Sequence, residues 1–78
     1  MHINSYKIKY FKNSIIGLKA TLTTCSADSS FENQSGIIKS GKDNYRFSLM
    51  LNKPITINGE KVNSVQLSEE DEIYLIPD

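Results

Sequence analysis

Asn58-Gly59 is the feature that most constrains this chain. It sits between Ile55-Thr56-Ile57 and Glu60-Lys61-Val62. Both positions of a two-residue hairpin turn need positive φ, which Asn and Gly tolerate best, so the dipeptide predicts two antiparallel strands joined there. Downstream, Val65-Gln66-Leu67, an acidic run Ser68-Glu69-Glu70-Asp71-Glu72 and the apolar run Ile73-Tyr74-Leu75-Ile76 complete the last third. The final run is apolar on both faces, as in a central or covered strand.

Upstream the period of two recurs. Tyr45, Phe47, Leu49 and Leu51 alternate with Arg46, Ser48 and Met50, the clearest half-buried strand in the chain. Asn52-Lys53-Pro54 is read as the turn that ends it, with Pro54 holding the next strand to an edge. Near the start, Tyr6, Ile8 and Tyr10 alternate with Lys7 and Lys9, and Ile16, Leu18, Ala20 and Leu22 alternate with Gly17, Lys19 and Thr21. Two such runs with Lys12-Asn13-Ser14 between them predict an opening hairpin, with Tyr6 and Tyr10 on the core face beside Ile8. The polar segment 26–36 has room for one short helix. Ser29 and Glu32 have capping-box spacing, Phe31 can anchor inward and Gly36 can end it.

With 78 residues the chain is read as one domain, 1–78, that buries only about 60% of its unfolded surface. The expected class is all-β, or β-rich α+β: a small single-layer or rolled, mainly antiparallel sheet with at most one short helix. A thin core also predicts a protein partner or self-association.

Catalysis finds little support. The one cysteine, Cys25, excludes an internal disulfide and a cysteine metal cage, and the one histidine, His2, adjoins the first residue. No glycine-rich phosphate loop is present, because Gly17, Gly36, Gly41 and Gly59 lie far apart. Four adjacent carboxylates lack the spacers and the glycine bend of a calcium loop. The expectation is no enzyme, no cofactor and no metal. No apolar run suits a membrane span or a signal-peptide core, and a lone cysteine fits a reducing compartment, so the expected location is cytoplasmic, in its own cell or a host's.

Charge suggests where a partner would bind. The formal net charge is zero, yet residues 1–42 hold six lysines against Asp28 and Glu32, while residues 43–78 hold three basic groups against seven acidic ones. The run Glu69, Glu70, Asp71 and Glu72 is therefore a candidate acidic rim for a partner protein. Lys7, Lys9, Phe11 and Lys12, interleaved with Tyr6 and Tyr10, are the alternative: rings stacking on bases and ammonium groups on the phosphates of single-stranded nucleic acid. Net neutrality weighs against that alternative.

The stretch from Asn58-Gly59-Glu60-Lys61-Val62 through Leu67-Ser68-Glu69-Glu70-Asp71-Glu72-Ile73-Tyr74-Leu75-Ile76-Pro77 resembles the C-terminal part of β-grasp, ubiquitin-like sulfur carriers of the molybdopterin-synthase small-subunit type. The resemblance implies a degenerate β-grasp with a full helix after the first hairpin, and a carrier or scaffold role. The carriers end in Gly-Gly, whereas this chain reads Ile76-Pro77-Asp78, so a binding or scaffold role is what would remain. The reading that results is a non-enzymatic protein-binding module. One concrete form is a small inhibitor encoded by a phage or mobile element, suggested by size and by a lysine-, isoleucine- and asparagine-rich composition typical of AT-rich coding.

Overall fold

The computed structural model describes residues 4–77. Six strands form one sheet: β1 (Tyr6–Lys7), β2 (Lys19–Thr24), β3 (Gln34–Ser40), β4 (Phe47–Ile57), β5 (Glu60–Leu67) and β6 (Glu72–Leu75). Their order is β1-β6-β2-β3-β4-β5, and every pairing is antiparallel. The described residues contain no α-helix, only three 3-10 turns, at Ile8–Tyr10, Asn13–Ile15 and Ser29–Phe31. Among the described residues no helix is long and apolar enough to cross a membrane. The fold is all-β.

Chain length forces this sheet to roll. β5 and β6 stand four places apart, which is about 19 Å in a flat sheet. Only Ser68–Asp71 joins them, and the Asp71 N–H donates to the Ser68 carbonyl at 3.0 Å, closing a turn. Such a turn spans under about 7 Å, and one further residue on each side adds about 3.8 Å apiece, so the connection reaches at most about 15 Å. The sheet therefore curls around its apolar face. Leu22, Ile38, Phe47, Leu49, Leu67 and Ile73 line the interior, and the 3-10 turns insert Ile8, Ile15 and Phe31.

The hairpin at Asn58-Gly59 forms as expected. Ile57 pairs with Glu60, and φ is 51° at Asn58 and 83° at Gly59. Leu22 and Ile73 pair across β2 and β6, which places the last strand inside the sheet.

The opening hairpin does not form. β1 is two residues long and pairs with β6, at Tyr6 with Ile73 and Lys7 with Glu72. The chain then tightens into the Ile8–Tyr10 turn, where Ile8 is fully buried and its N–H donates to the Asp71 carbonyl at 2.8 Å. Burying Ile8 this way turns its neighbours outward: Tyr6 is 54% exposed and Tyr10 is 71% exposed, not core. Asn52-Lys53-Pro54 is not a turn either. β4 runs on to Ile57, and the register with β5 shifts between Met50 and Ile55. A bulge accommodates Pro54, which lacks an N–H for the ladder.

Segment 26–36 holds one 3-10 turn, so neither the capping box nor the helix of a β-grasp sheet is present there. Asp28, not Ser29, is the cap: its Oδ1 accepts from the Ser30 N–H at 2.8 Å, which draws the Asp28 carboxyl below its ordinary pKa. Phe31 is buried as expected, while Gly36 belongs to β3. A Cβ at Gly36 would fall on the Met50 carbonyl of β4, so the strands approach closely only because it is absent.

Candidate functional site

The acidic run is not a continuous rim. Each carboxylate has a separate internal task. Glu69 accepts from Arg46 through Nε at 3.1 Å and Nη2 at 3.2 Å. The same guanidinium donates from Nη1 to the Phe11 carbonyl at 2.9 Å and from Nη2 to the Ile8 carbonyl at 3.0 Å. Arg46, at the entrance of β4, thus ties the acidic turn to the segment after β1. Its planar fork suits three acceptors at once.

Glu70 meets two lysines. Lys9 Nζ lies 3.1 Å from one of its oxygens and Lys7 Nζ lies 3.6 Å from the other. The hydrogen bond from Lys9 draws the Glu70 carboxyl below its ordinary value, with the charges of Lys7 and Lys9 adding. The same bond, then the charge of Glu70, raises the Lys9 ammonium. All three side chains are well exposed, so these pairs orient more than they stabilise.

Asp71 is 1% exposed. Its Oδ1 accepts from the Ser26 N–H at 2.9 Å and its Oδ2 from the Ser68 N–H at 2.8 Å. It joins the end of β2 to the β5–β6 turn and offers nothing to a partner. Glu72 is half-buried within β6 and accepts from the Ser5 hydroxyl at 3.1 Å. Of the four proposed rim residues, only Glu69 and Glu70 face solvent, and both are engaged by cations of the same chain.

The alternative set is also divided. Lys7 and Lys9 turn to Glu70. Lys12 is exposed and has no ion pair among the described residues. Phe11 packs partly against the core and meets the Tyr6 ring edge-on, with centroids 6.5 Å apart. The Lys9 ammonium lies 5.6 Å from the centre of the exposed Tyr10 ring.

Beside these rings is a shallow groove of about 310 Å³ lined by Asn4, Tyr6, Phe11, Tyr74 and Leu75. It offers ring faces, two phenolic hydroxyls and an amide, and no charged group. Consecutive strand residues point to opposite faces, so a groove lined by both Tyr74 and Leu75 opens at the edge of β6. Sequence reasoning missed it because the alternation at Tyr6–Tyr10 placed both tyrosines inside. The available signal was Ile8, the most apolar of the three, flanked by rings that carry hydroxyls.

Cys25 is buried at the end of β2. His2 lies outside the described residues, and among the described residues no group of His, Cys, Asp and Glu is placed to hold a metal ion. No protein-family model, curated protein or solved structure matches this chain.

Proposed function

We propose that this protein is a non-enzymatic binding module that acts by occupying the surface of a partner protein. Its contact surface is the aromatic face of Tyr6, Tyr10 and the groove beside them, not the acidic run. The exposure of Tyr6 and Tyr10 is the observation that carries this reading. A small domain with a thin core gains by burying every ring it can, and Tyr is among the residues that dominate protein interfaces. Glu70 engages both Lys7 and Lys9 and offsets part of their charge, which supports a protein partner over a polyanion. A small cytoplasmic inhibitor, encoded by a phage or mobile element and acting in a host, is one form that fits the size.

Single-stranded nucleic acid is the second reading, favoured by the placement of the Lys9 ammonium over the Tyr10 ring and by the exposed Lys12, which has no ion pair among the described residues. Affinity capture from lysate with quantitative mass spectrometry, at low and moderate salt, separates the two. The tagged protein is compared with a Tyr6→Ala, Tyr10→Ala variant and with Met50→Ser, an exposed change on β4 far along the sheet order. The protein reading expects a stoichiometric protein lost with the tyrosines and kept by Met50→Ser. Nuclease-sensitive, salt-labile recovery supports the second reading, and a partner kept by the tyrosine variant defeats the first.

A further inference from the structure

We infer that the edge of β6 at Leu75 takes an extended peptide segment of a partner protein as an added strand. This inference rests on the reading of the aromatic face as a protein-binding surface and names the kind of partner it fits. In an antiparallel strand the N–H and C=O of one residue point the same way, and successive residues alternate sides. The Ile76 N–H donates to the Lys19 carbonyl of β2 at 2.9 Å, so Tyr74 and Ile76 face β2. Ile73 and Leu75 then face the opposite side, where Ile73 meets Tyr6 of β1. In that register the counterpart of Leu75 is Asn4, but β1 begins at Tyr6 and Asn4 makes no ladder bond. Leu75 is paired with Ala20 of β2, and no described residue is paired with it on its outward side.

This outward edge of Leu75 borders the aromatic groove, since Leu75 itself lines it. An extended segment bonded to Leu75 would set alternate side chains against the Tyr6–Phe11 ring pair, the arrangement in which backbone bonds give affinity and pockets give selectivity. The central residue should be apolar, because the groove lining carries no charge. Its neighbours should be acidic. Lys7 and Lys9 share the single carboxylate of Glu70, and Lys12 has no ion pair among the described residues, which leaves a positive border.

The test uses the full chain, labelled with ¹⁵N, and a short random-peptide display library as the probe. In the free protein the Leu75 amide should exchange with solvent quickly while the Ile76 amide is protected. Selected peptides should carry an apolar residue beside an acidic one and should protect the Leu75 amide. N-methylation of the peptide residue opposite Leu75 should cost at least about tenfold in affinity. Peptides that need Tyr6 yet leave the Leu75 amide unprotected and tolerate N-methylation would overturn strand addition while leaving the protein-binding face intact. A Leu75 amide already protected in the free protein would also overturn it. Absence of any peptide binder, or binding of an oligothymidylate probe alone, would defeat both readings.

Discussion

Replacing Asp71 by alanine removes the carboxylate that two separated loops share. Ser26 N–H and Ser68 N–H both donate to it, at 2.9 and 2.8 Å, in a site where the residue is 1% exposed. A hydrogen bond to a charged acceptor contributes about 1.5–3 kcal/mol, and each donor left buried without water costs about as much. Two such bonds give about 3–6 kcal/mol. A chain of 78 residues has a total stability of roughly 4–12 kcal/mol. The variant should therefore lose a large fraction of its stability, with Tm lower by at least about 12 °C. Asp71→Asn keeps the shape and one acceptor but sets an NH₂ against the second N–H, so it should lose about 2–4 kcal/mol. Urea unfolding followed by circular dichroism measures both. Either variant within about 0.5 kcal/mol of the parent, at unchanged m, would refute the view that Asp71 is structural. Asp71 would then return to the candidate contact residues.

Arg46→Lys should destabilise by about 1–3 kcal/mol, nearly as much as Arg46→Ala, because an ammonium cannot serve Glu69 and two carbonyls with one planar fork; urea midpoints of the pair decide this. Gly36→Ala should cost about 3 kcal/mol or more, since the new methyl meets the Met50 carbonyl of the neighbouring strand rather than a movable side chain; a thermal melt near the parent's would count against that close approach. For Glu70 the folded pKa lies below the ordinary 4.5, so its contribution is present above that value and is lost as pH falls through the lower folded value. For Lys9 the folded pKa lies above the ordinary 10.5, so its contribution is complete below that value and is lost as pH rises through the higher one. Glu70→Gln should flatten both limbs of the stability–pH curve relative to the parent, and identical curves would show that the pair does not couple to folding.

Local rules made part of this fold legible. The hairpin at Asn58-Gly59 is set by two residues that accept positive φ, and β4 by a strict alternation from Phe47 to Leu51. The errors arose where distant pairing decided the outcome. Tyr6 to Tyr10 carries the pattern of a strand, but the partner available to it is the short β6, and the ladder ends with the Ile8 N–H on the carbonyl of Asp71, just before β6, where the chain tightens into the Ile8–Tyr10 turn. Nothing between residues 1 and 24 records this. Asn52-Lys53-Pro54 has turn composition, yet β5 continues opposite it, and a bulge satisfies the proline within a longer strand. The aromatic face was missed for the same reason: the tyrosines become surface only when Ile8 is drawn inward.

The acidic run shows why adjacency in sequence is a poor guide to a binding surface. Its residues occupy a tight turn, so their side chains diverge, and each finds a different partner: the Arg46 fork, the Lys7 and Lys9 ammonium groups, two backbone N–H donors and the Ser5 hydroxyl. Two of these four partners, the Lys7 and Lys9 ammonium groups and the Ser5 hydroxyl, belong to β1 or follow and precede it closely, at one end of the sheet order, and Arg46 opens β4 near the other end. A rolled sheet with a connection this short needs its seam held: Glu70 of the negative half holds Lys7 and Lys9 of the positive half, and Arg46 holds Glu69 and the carbonyls of Ile8 and Phe11. What the closure leaves on the outside of the seam includes Lys12, the rings of Tyr6 and Tyr10, and the edge of β6 at Leu75, and on the function proposed above these are the groups that meet a partner.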